Sequence, residues 1–383
     1  MPSPLEPTDL PLRLAFLGDP NSIHFRRWTG WFAERGHTVV MLAPEGAAEP
    51  QGLHAAISVE RFEPYYRRAN HLVGFLREKR SLGRVVARFR PDIVHAHYLT
   101  EYGWHAWMSG FHPYAITVWG SDVNISLRRS RRTALFGRLS LRRAELVTGV
   151  SEVLVEGAIQ AGARPEKSRK VHFGVDTERF APGPDPTILR ERLGLTGRRV
   201  VFAPRSIAPL YRHQVAVEAL AELPEDVVLL MVRFLPDEAE VAAVMARAEA
   251  LGLSSRLKIV DSIDHADLPD FYRLADVVLS IPASDATAVT LLEAAACERP
   301  IVATDLPGPR ELLGQYDPEC MVPVDDPKAT AAAVVRALGR APQDWAAIGP
   351  RGRRIVVDTA QHEANMLLVE SLYRDMARPR RDV

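Results

Sequence analysis

The sequence predicts an α/β protein made of two doubly wound domains, each built on a parallel sheet. Three observations carry that expectation. Short β-rich runs alternate with helical patterns along the chain, which is the signature of βαβ units. One Pro/Gly-rich stretch, "FAPGPDPT" (180–187), interrupts the alternation near the middle. The 383 residues are more than twice the roughly 150 of a typical domain.

In the first half, "LRLAFLG" (12–18) reads as a buried strand and "HFRRWTGWFAERG" (24–36) as a helix ended by Gly36. "HTVVMLAP" (37–44) is the next strand, and an Arg-rich helical region covers about 64–90. Further strands are expected at 92–98, 114–120 and 145–151. After the break, strands are expected at 198–204, 226–232, 256–263, 276–284 and 300–305. The domains are therefore expected at 10–180 and 181–361. The amphipathic segment 362–378 can pack on either domain, including back on the N-terminal one. In open parallel sheets ligands bind outside the carboxyl ends of the strands. Two facing domains of this kind suit a two-substrate transferase, and equally a binding protein that closes on one ligand.

Composition excludes several classes. Lys+Arg and Asp+Glu both number 48, so net charge gives no bulk attraction to nucleic acid. The two cysteines, Cys297 and Cys320, show no metal or redox spacing and point to a reduced compartment. No apolar run approaches the ~18 residues of a membrane span. The start, "MPSPLEPTDLPLR", reads as a short disordered lead-in and not as a signal peptide. A cytoplasmic protein is expected.

The chemistry concentrates in "SDATAVTLLEAAACERPIVATD" (284–305). Asp285 lies at the carboxyl end of a strand, and a helix begins near Thr287 or Ala288. Its first-turn N–H groups, around Ala288 and Val289, and its positive dipole end suit a phosphate. Glu293 falls about one and a half turns in and is expected to point to the cleft side. The plainer alternative is an acid favouring the helix dipole plus one solvated glutamate.

This stretch resembles the donor-site signature of retaining glycosyltransferase family 4, also called group 1, whose members have the GT-B fold of two facing Rossmann-like domains. Asp285 takes the first acidic position, more often Glu in the family, and Glu293 the second. "RKVHFGVDTERFAP" is similar to the family's entry into the linker, with Phe173 in place of a common Asn. "PGPRELL" (307–313) is similar to the segment after the donor helix. The resemblance covers roughly residues 12–375. It implies that Asp285 contacts hydroxyls of a donor sugar and that Glu293 binds the nucleotide ribose. It places the diphosphate on the N–H groups around Ala288 and Val289, and the base near Ser262–Asp264. The implied activity is retaining transfer of a sugar from a nucleotide-diphosphate sugar to an acceptor hydroxyl. The acceptor is a sugar, a polyol or a lipid-linked molecule, and the setting is glycolipid, polysaccharide or cell-envelope glycan synthesis. A nucleotide-sugar epimerase and a non-catalytic nucleotide-sugar-binding protein are the alternatives.

Family members usually carry Arg and, five residues later, Lys to hold the diphosphate. In "FAPRSIAPLYRHQ" the Arg is Arg205, but the fifth residue on is Leu210. Arg212 is the nearest cation to replace it; otherwise it is a solvated residue at a helix start. Fixed positive charge there stabilises the leaving diphosphate. No Asp-x-Asp occurs, in keeping with metal-independent chemistry, and no cofactor is expected. His95 and His97 lack an obvious third metal ligand. His97 is a site candidate and His95 reads as a buried, satisfied histidine.

The acceptor belongs on the first domain. Only Gly18 remains of a Gly-rich loop after the first strand, so no dinucleotide fingerprint is present. Asn21, Ser22 and His24 offer polar contacts. "TVWGSD" (117–122) is similar to the family's Thr-x-His-Gly-x-Asp, with Trp119 in the His position. Asp122 is either an acceptor contact or a helix N-cap. Trp28/Trp31 and Trp104/Trp107 have the i,i+3 spacing of buried helix faces, with sugar stacking as the alternative. "RRSRRTALFGRLSLRR" (128–143) holds seven arginines and no acid. It is a solvated helix face, or a contact of Arg128–Arg143 with an anionic membrane surface at the inner face.

Overall fold

The computed structural model describes residues 10–47, 49, 50, 52–64 and 71–378. The lead-in (1–9) and the first part of the expected helical region (65–70) lie outside the described residues. The chain divides into one unit of 1–173 with 364–383 and a second of 174–363.

The first unit runs β1 (Arg13–Leu17), α1 (Ile23–Glu34), β2 (Thr38–Pro44), β3 (Ser58–Phe62), α2 (His71–Phe89), β4 (Ile93–His97), α3 (Trp104–Met108), β5 (Tyr114–Val118), α4 (Ser121–Asn124), α5 (Arg131–Arg143), β6 (Leu146–Gly149), α6 (Glu152–Gln160) and β7 (Ser168–Lys170). Its sheet is parallel in the order β3-β2-β1-β4-β5-β6-β7. The order reverses between β1 and β4, and ligands bind at such a switch point. β3 and β7 add edge strands beyond those the sequence predicts.

The second unit runs α7 (Thr187–Arg192), β8 (Arg199–Ser206), α8 (His213–Ala221), β9 (Val227–Arg233), α9 (Glu238–Ala250), β10 (Leu257–Asp261), α10 (Leu268–Leu274), β11 (Val277–Ser280), α11 (Val289–Ala296), β12 (Ile301–Thr304), α12 (Pro307–Leu313), β13 (Met321–Val322), α13 (Pro327–Leu338) and α14 (Pro342–Ala360). Its sheet is also parallel, in the order β10-β9-β8-β11-β12-β13. The switch point falls between β8 and β11. Both sheet faces are buried, as a parallel sheet requires. Val200, Phe202, Leu230 and Val278 face one core. Val201, Leu229, Met231 and Leu279 face the other. The division at 173/174 lies ahead of the Pro/Gly stretch because Phe180 sits in the core of the second unit.

α15 (His362–Ala377) supplies the last segment of the first unit from Ala364 onward. Tyr373 is buried, stacked on Phe32 at 5.1 Å between ring centroids. Its hydroxyl meets His95 Nδ1 and accepts from Trp28 Nε1 at 3.3 Å. Glu370 binds Arg35, His37 and Arg374.

Candidate functional site

In the second unit, the two strands flanking the switch point end in opposite charges. β8 carries Arg205 at its carboxyl end, and Asp285 lies in the loop after β11. Arg205 Nη1 donates to Asp285 Oδ2 at 3.1 Å, with both side chains largely buried. Local backbone contacts force this approach. Ala283 N–H donates to the Leu210 carbonyl at 2.9 Å, tying the Asp285 loop to the turn after β8. Thr304 Oγ1 donates to the Pro282 carbonyl at 2.8 Å. Thr287 Oγ1 donates to the Gly308 carbonyl at 3.1 Å. A Cβ at Gly308 would come within 2.6 Å of the Ala286 backbone, so only glycine lets α12 support this loop.

Burial pushes the Asp285 carboxyl above the ordinary aspartate value, with Arg205 pulling it back. Burial works against the Arg205 charge, but Asp285 and then Tyr211 outweigh it and raise its pKa. The guanidinium also lies 4.3 Å from the Tyr211 ring centroid, a cation–π contact. The neighbouring His213 is pushed down to about 4, first by burial and then by the Arg205 charge, so it is neutral near pH 7.

α11 starts at Val289 with Ala288 as its N-cap, and no side chain caps it. The Thr290 hydroxyl in its first turn is buried and has no hydrogen-bond partner among the described residues. This first turn offers backbone donors and a hydroxyl to an anion. One and a half turns in, Glu293 Oε2 accepts the Tyr272 hydroxyl at 2.7 Å, and both groups are buried.

The first unit shows the matching edge at its own switch point. Gly18 follows β1, and a Cβ there would overlap the Phe25 ring at 2.2 Å. His97 ends β4, fully enclosed by the rings of Phe25, Trp28 and Trp119. Burial drives its pKa down to about 3, and neither ring nitrogen has a hydrogen-bond partner among the described residues. His24 stacks on Phe173 at 5.0 Å, and Trp119 meets Phe173 edge-on at 4.9 Å. Asn21 is exposed, its N–H donating to Asp19 Oδ1 at 2.9 Å, and Ser22 caps α1. Among the described residues, no group of three His, Cys, Asp or Glu side chains is placed to hold a metal ion.

Two family profiles match the chain. One, described as Glycosyl transferase 4-like, covers residues 13–151, and the other, described as Glycosyl transferases group 1, covers residues 197–340. The chain belongs to the group 1 glycosyltransferases. It is 35% identical over 150 residues to a D-inositol 3-phosphate glycosyltransferase of Mycobacterium sp. (strain JLS), a stretch that is 38% of this chain and 34% of that one. A Mycobacterium bovis (strain BCG / Pasteur 1173P2) relative of the same description is 34% identical over 151 residues, 31% of its length. The chain thus spans about a third of the length of the curated relatives it matches. Anabaena Alr3699/HepE in complex with UDP superposes with a TM-score of 0.77 at 20% identity, covering 94% of this chain and 99% of that one. Sucrose-phosphate synthase from Thermosynechococcus elongatus gives 0.78 at 19% identity, covering 95% and 98%. These neighbours establish the GT-B fold for this group 1 glycosyltransferase.

Several expectations for the group 1 chain need correction. Glu293 was expected to point to the cleft side, and the plainer alternative left it solvated; the solvated alternative does not hold. Glu293 is buried, with α14 and α10 packed on α11, and its Oε2 accepts the Tyr272 hydroxyl. Asp122 is neither an N-cap nor an exposed acceptor contact. Its enclosed carboxylate accepts N–H groups from Leu99, Trp119, Gly120 and Val123 at 2.8–3.0 Å, so it builds the turn after β5. Arg212 does not join Arg205 and Asp285. Its Nε is 2.9 Å from Asp325 Oδ1, and its Nη1 donates to the Pro209 carbonyl. Ser262 is exposed just past the carboxyl end of the edge strand β10. The helix starts at Val289, one or two residues later than expected. Tyr211, Tyr272, His213 and Thr290 were not anticipated. Tyr211 had a signal in the Pro-Leu-Tyr run; the other three read as ordinary core or helix residues.

Proposed function

We propose that this chain transfers a sugar from a nucleotide-diphosphate sugar to an acceptor hydroxyl, with retention at the anomeric carbon and without a metal ion. The convergence of Arg205 and Asp285 beside the uncapped start of α11 carries this reading. The diphosphate rests on the N–H groups of the first turn, aided by the Thr290 hydroxyl, and Arg205 takes up negative charge as the sugar leaves. Asp285 orients sugar hydroxyls as an acceptor of their protons. Glu293 holds the ribose, with Tyr272 fixing its carboxylate. Attack comes from the face of the departing phosphate, so no protein nucleophile is needed. The acceptor, a sugar, polyol or lipid-linked molecule, is received by Gly18, Asn21, His24 and His97 on the first unit. The setting is glycolipid, polysaccharide or cell-envelope glycan synthesis in the cytoplasm, with Arg128–Arg143 touching the anionic inner membrane face.

A thermal-shift panel of UDP-, GDP- and ADP-sugars tests the donor reading. A ligand at 100 times its Kd adds about 2.7 kcal/mol to the native state. For units of this size that corresponds to about 5–10 °C in Tm. One base is expected to stand out, and no shift with any of the three would overturn the proposal.

Tyr211 acts as a positioning residue in this scheme, because its ring supports the Arg205 guanidinium. Tyr211→Ala is expected to lower kcat/KM about 2- to 30-fold, the range of a cation–π contact, while Tyr211→Phe stays near wild type. Steady-state kinetics on both variants checks this.

A further inference from the structure

The first unit carries a surface that sugar transfer itself does not use. α2, α3 and α5 meet at a ring cluster. Phe136 of α5 lies 5.8 Å from Trp104 and 6.0 Å from Trp107, and Phe75 of α2 lies 6.3 Å from Trp107. All four rings are only half-buried. Beside them stand exposed aliphatic tips: Val73 and Leu76 on α2, 47% and 45% exposed, and Leu135 on α5, 55% exposed. A single exposed leucine is normal, but three around one aromatic cluster form a patch.

The charge around these tips has one sign. Val73, Leu76, Arg77 and Arg80 share one helical face, and so do Arg131, Leu135 and Arg138. Arg77, Arg80, Arg131, Arg132 and Arg138 are exposed, and none pairs with a carboxylate among the described residues. The only acid in either helix, Glu78, is buried against His105, Nε2 to Oε1 2.6 Å. Nucleic acid also attracts arginines, but it offers nothing to exposed aliphatic tips. A bilayer takes both, since arginine heads meet anionic headgroups while leucine and valine enter the headgroup–acyl boundary.

We propose that α2 and α5 form a two-part docking surface for an anionic lipid bilayer, in which Val73, Leu76 and Leu135 insert and the surrounding arginines bind headgroups. The inference rests on the membrane contact suggested for Arg128–Arg143 and adds an inserting apolar part, so that binding has a salt-sensitive and a salt-resistant component.

The test is sedimentation of the full chain with vesicles of phosphatidylcholine alone and of phosphatidylcholine with phosphatidylglycerol, at about 50 mM and about 500 mM salt, where screening lengths differ severalfold. Binding is expected to anionic vesicles only, weakened but not abolished by high salt. Arg131→Glu/Arg138→Glu is expected to lose about 30-fold or more of the low-salt affinity. Leu76→Ser/Leu135→Ser is expected to remove the binding that survives high salt. Both pairs are surface changes, so Tm and any donor-induced shift stay unchanged, which keeps this outcome separate from the fate of the donor reading. Should a pair fail to fold, quenching of wild-type tryptophan fluorescence by brominated lipids decides, through Trp104 and Trp107. Equal binding to neutral vesicles overturns the proposal. So does a leucine variant that binds as wild type at both salts, absence of quenching, or displacement from vesicles by an equal charge of duplex DNA.

Discussion

Arg205→Ala is expected to lower kcat/KM for sugar transfer by about 10²–10³, the cost of removing one fixed group from a developing negative charge. Arg205 is held from two sides, by Asp285 at 3.1 Å and by the Tyr211 ring. Its charge is therefore in place before the diphosphate leaves and needs no reorganisation. Arg205→Lys keeps the charge but loses the planar fork, and is expected to recover only part of the rate. Asp285→Asn separates the two partners. It is expected to lower kcat about 10- to 100-fold with little change in donor KM, since a charged acceptor is replaced by a neutral one. The pH profile adds an independent readout. Because burial holds Asp285 above the ordinary aspartate value of 3.8, transfer should fall as pH drops through that raised pKa, and Asp285→Asn should lack this acid limb. Wild-type transfer rates in both Arg205→Ala and Asp285→Asn would remove the pair from the reaction.

Glu293→Ala is expected to raise the donor KM about 10- to 100-fold, the worth of a hydrogen bond to a charged group, with a smaller effect on kcat. A stability loss should accompany it, because the Tyr272 hydroxyl would remain buried without its acceptor at 2.7 Å. Leaving such a group unsatisfied costs about 1–3 kcal/mol. Tyr272→Phe separates binding from folding. It should lower Tm to a similar extent while raising the donor KM less, since Glu293 keeps its charge and loses only one fixing contact. Kinetics and thermal denaturation of the two variants together check this. A Glu293→Ala variant with lowered Tm but unchanged donor KM would leave Glu293 as a core residue only.

Both parallel sheets were legible because their central strands are continuous apolar runs between helical patterns. Three of the four edge strands were not. β3 reads "SVERF", β7 "SRK" and β13 only "MV", and polar or very short edges carry little periodic signal. At the candidate site, Asp285, Glu293 and Arg205 stood out by spacing and by resemblance. Their partners did not, because contacts such as Tyr272 to Glu293 or Ala283 to Leu210 join residues far apart in the chain. Leu210 illustrates the point: the position where the family places a lysine contributes a backbone carbonyl here. Side-chain direction was equally hidden. Only the packing around Arg212 and Asp122 decides that one turns to Asp325 and the other into its own turn.

The last helix gives the protein an order of assembly. The Tyr373 hydroxyl meets His95 and accepts from Trp28, and Arg35 and His37 meet Glu370, across more than 270 residues of chain. During synthesis, the whole of 174–363 is made before these partners exist. The amino-terminal unit is therefore begun first and completed last, and a chain stopped short of α15 would leave His95 with Thr117 alone and Arg35 and His37 without Glu370.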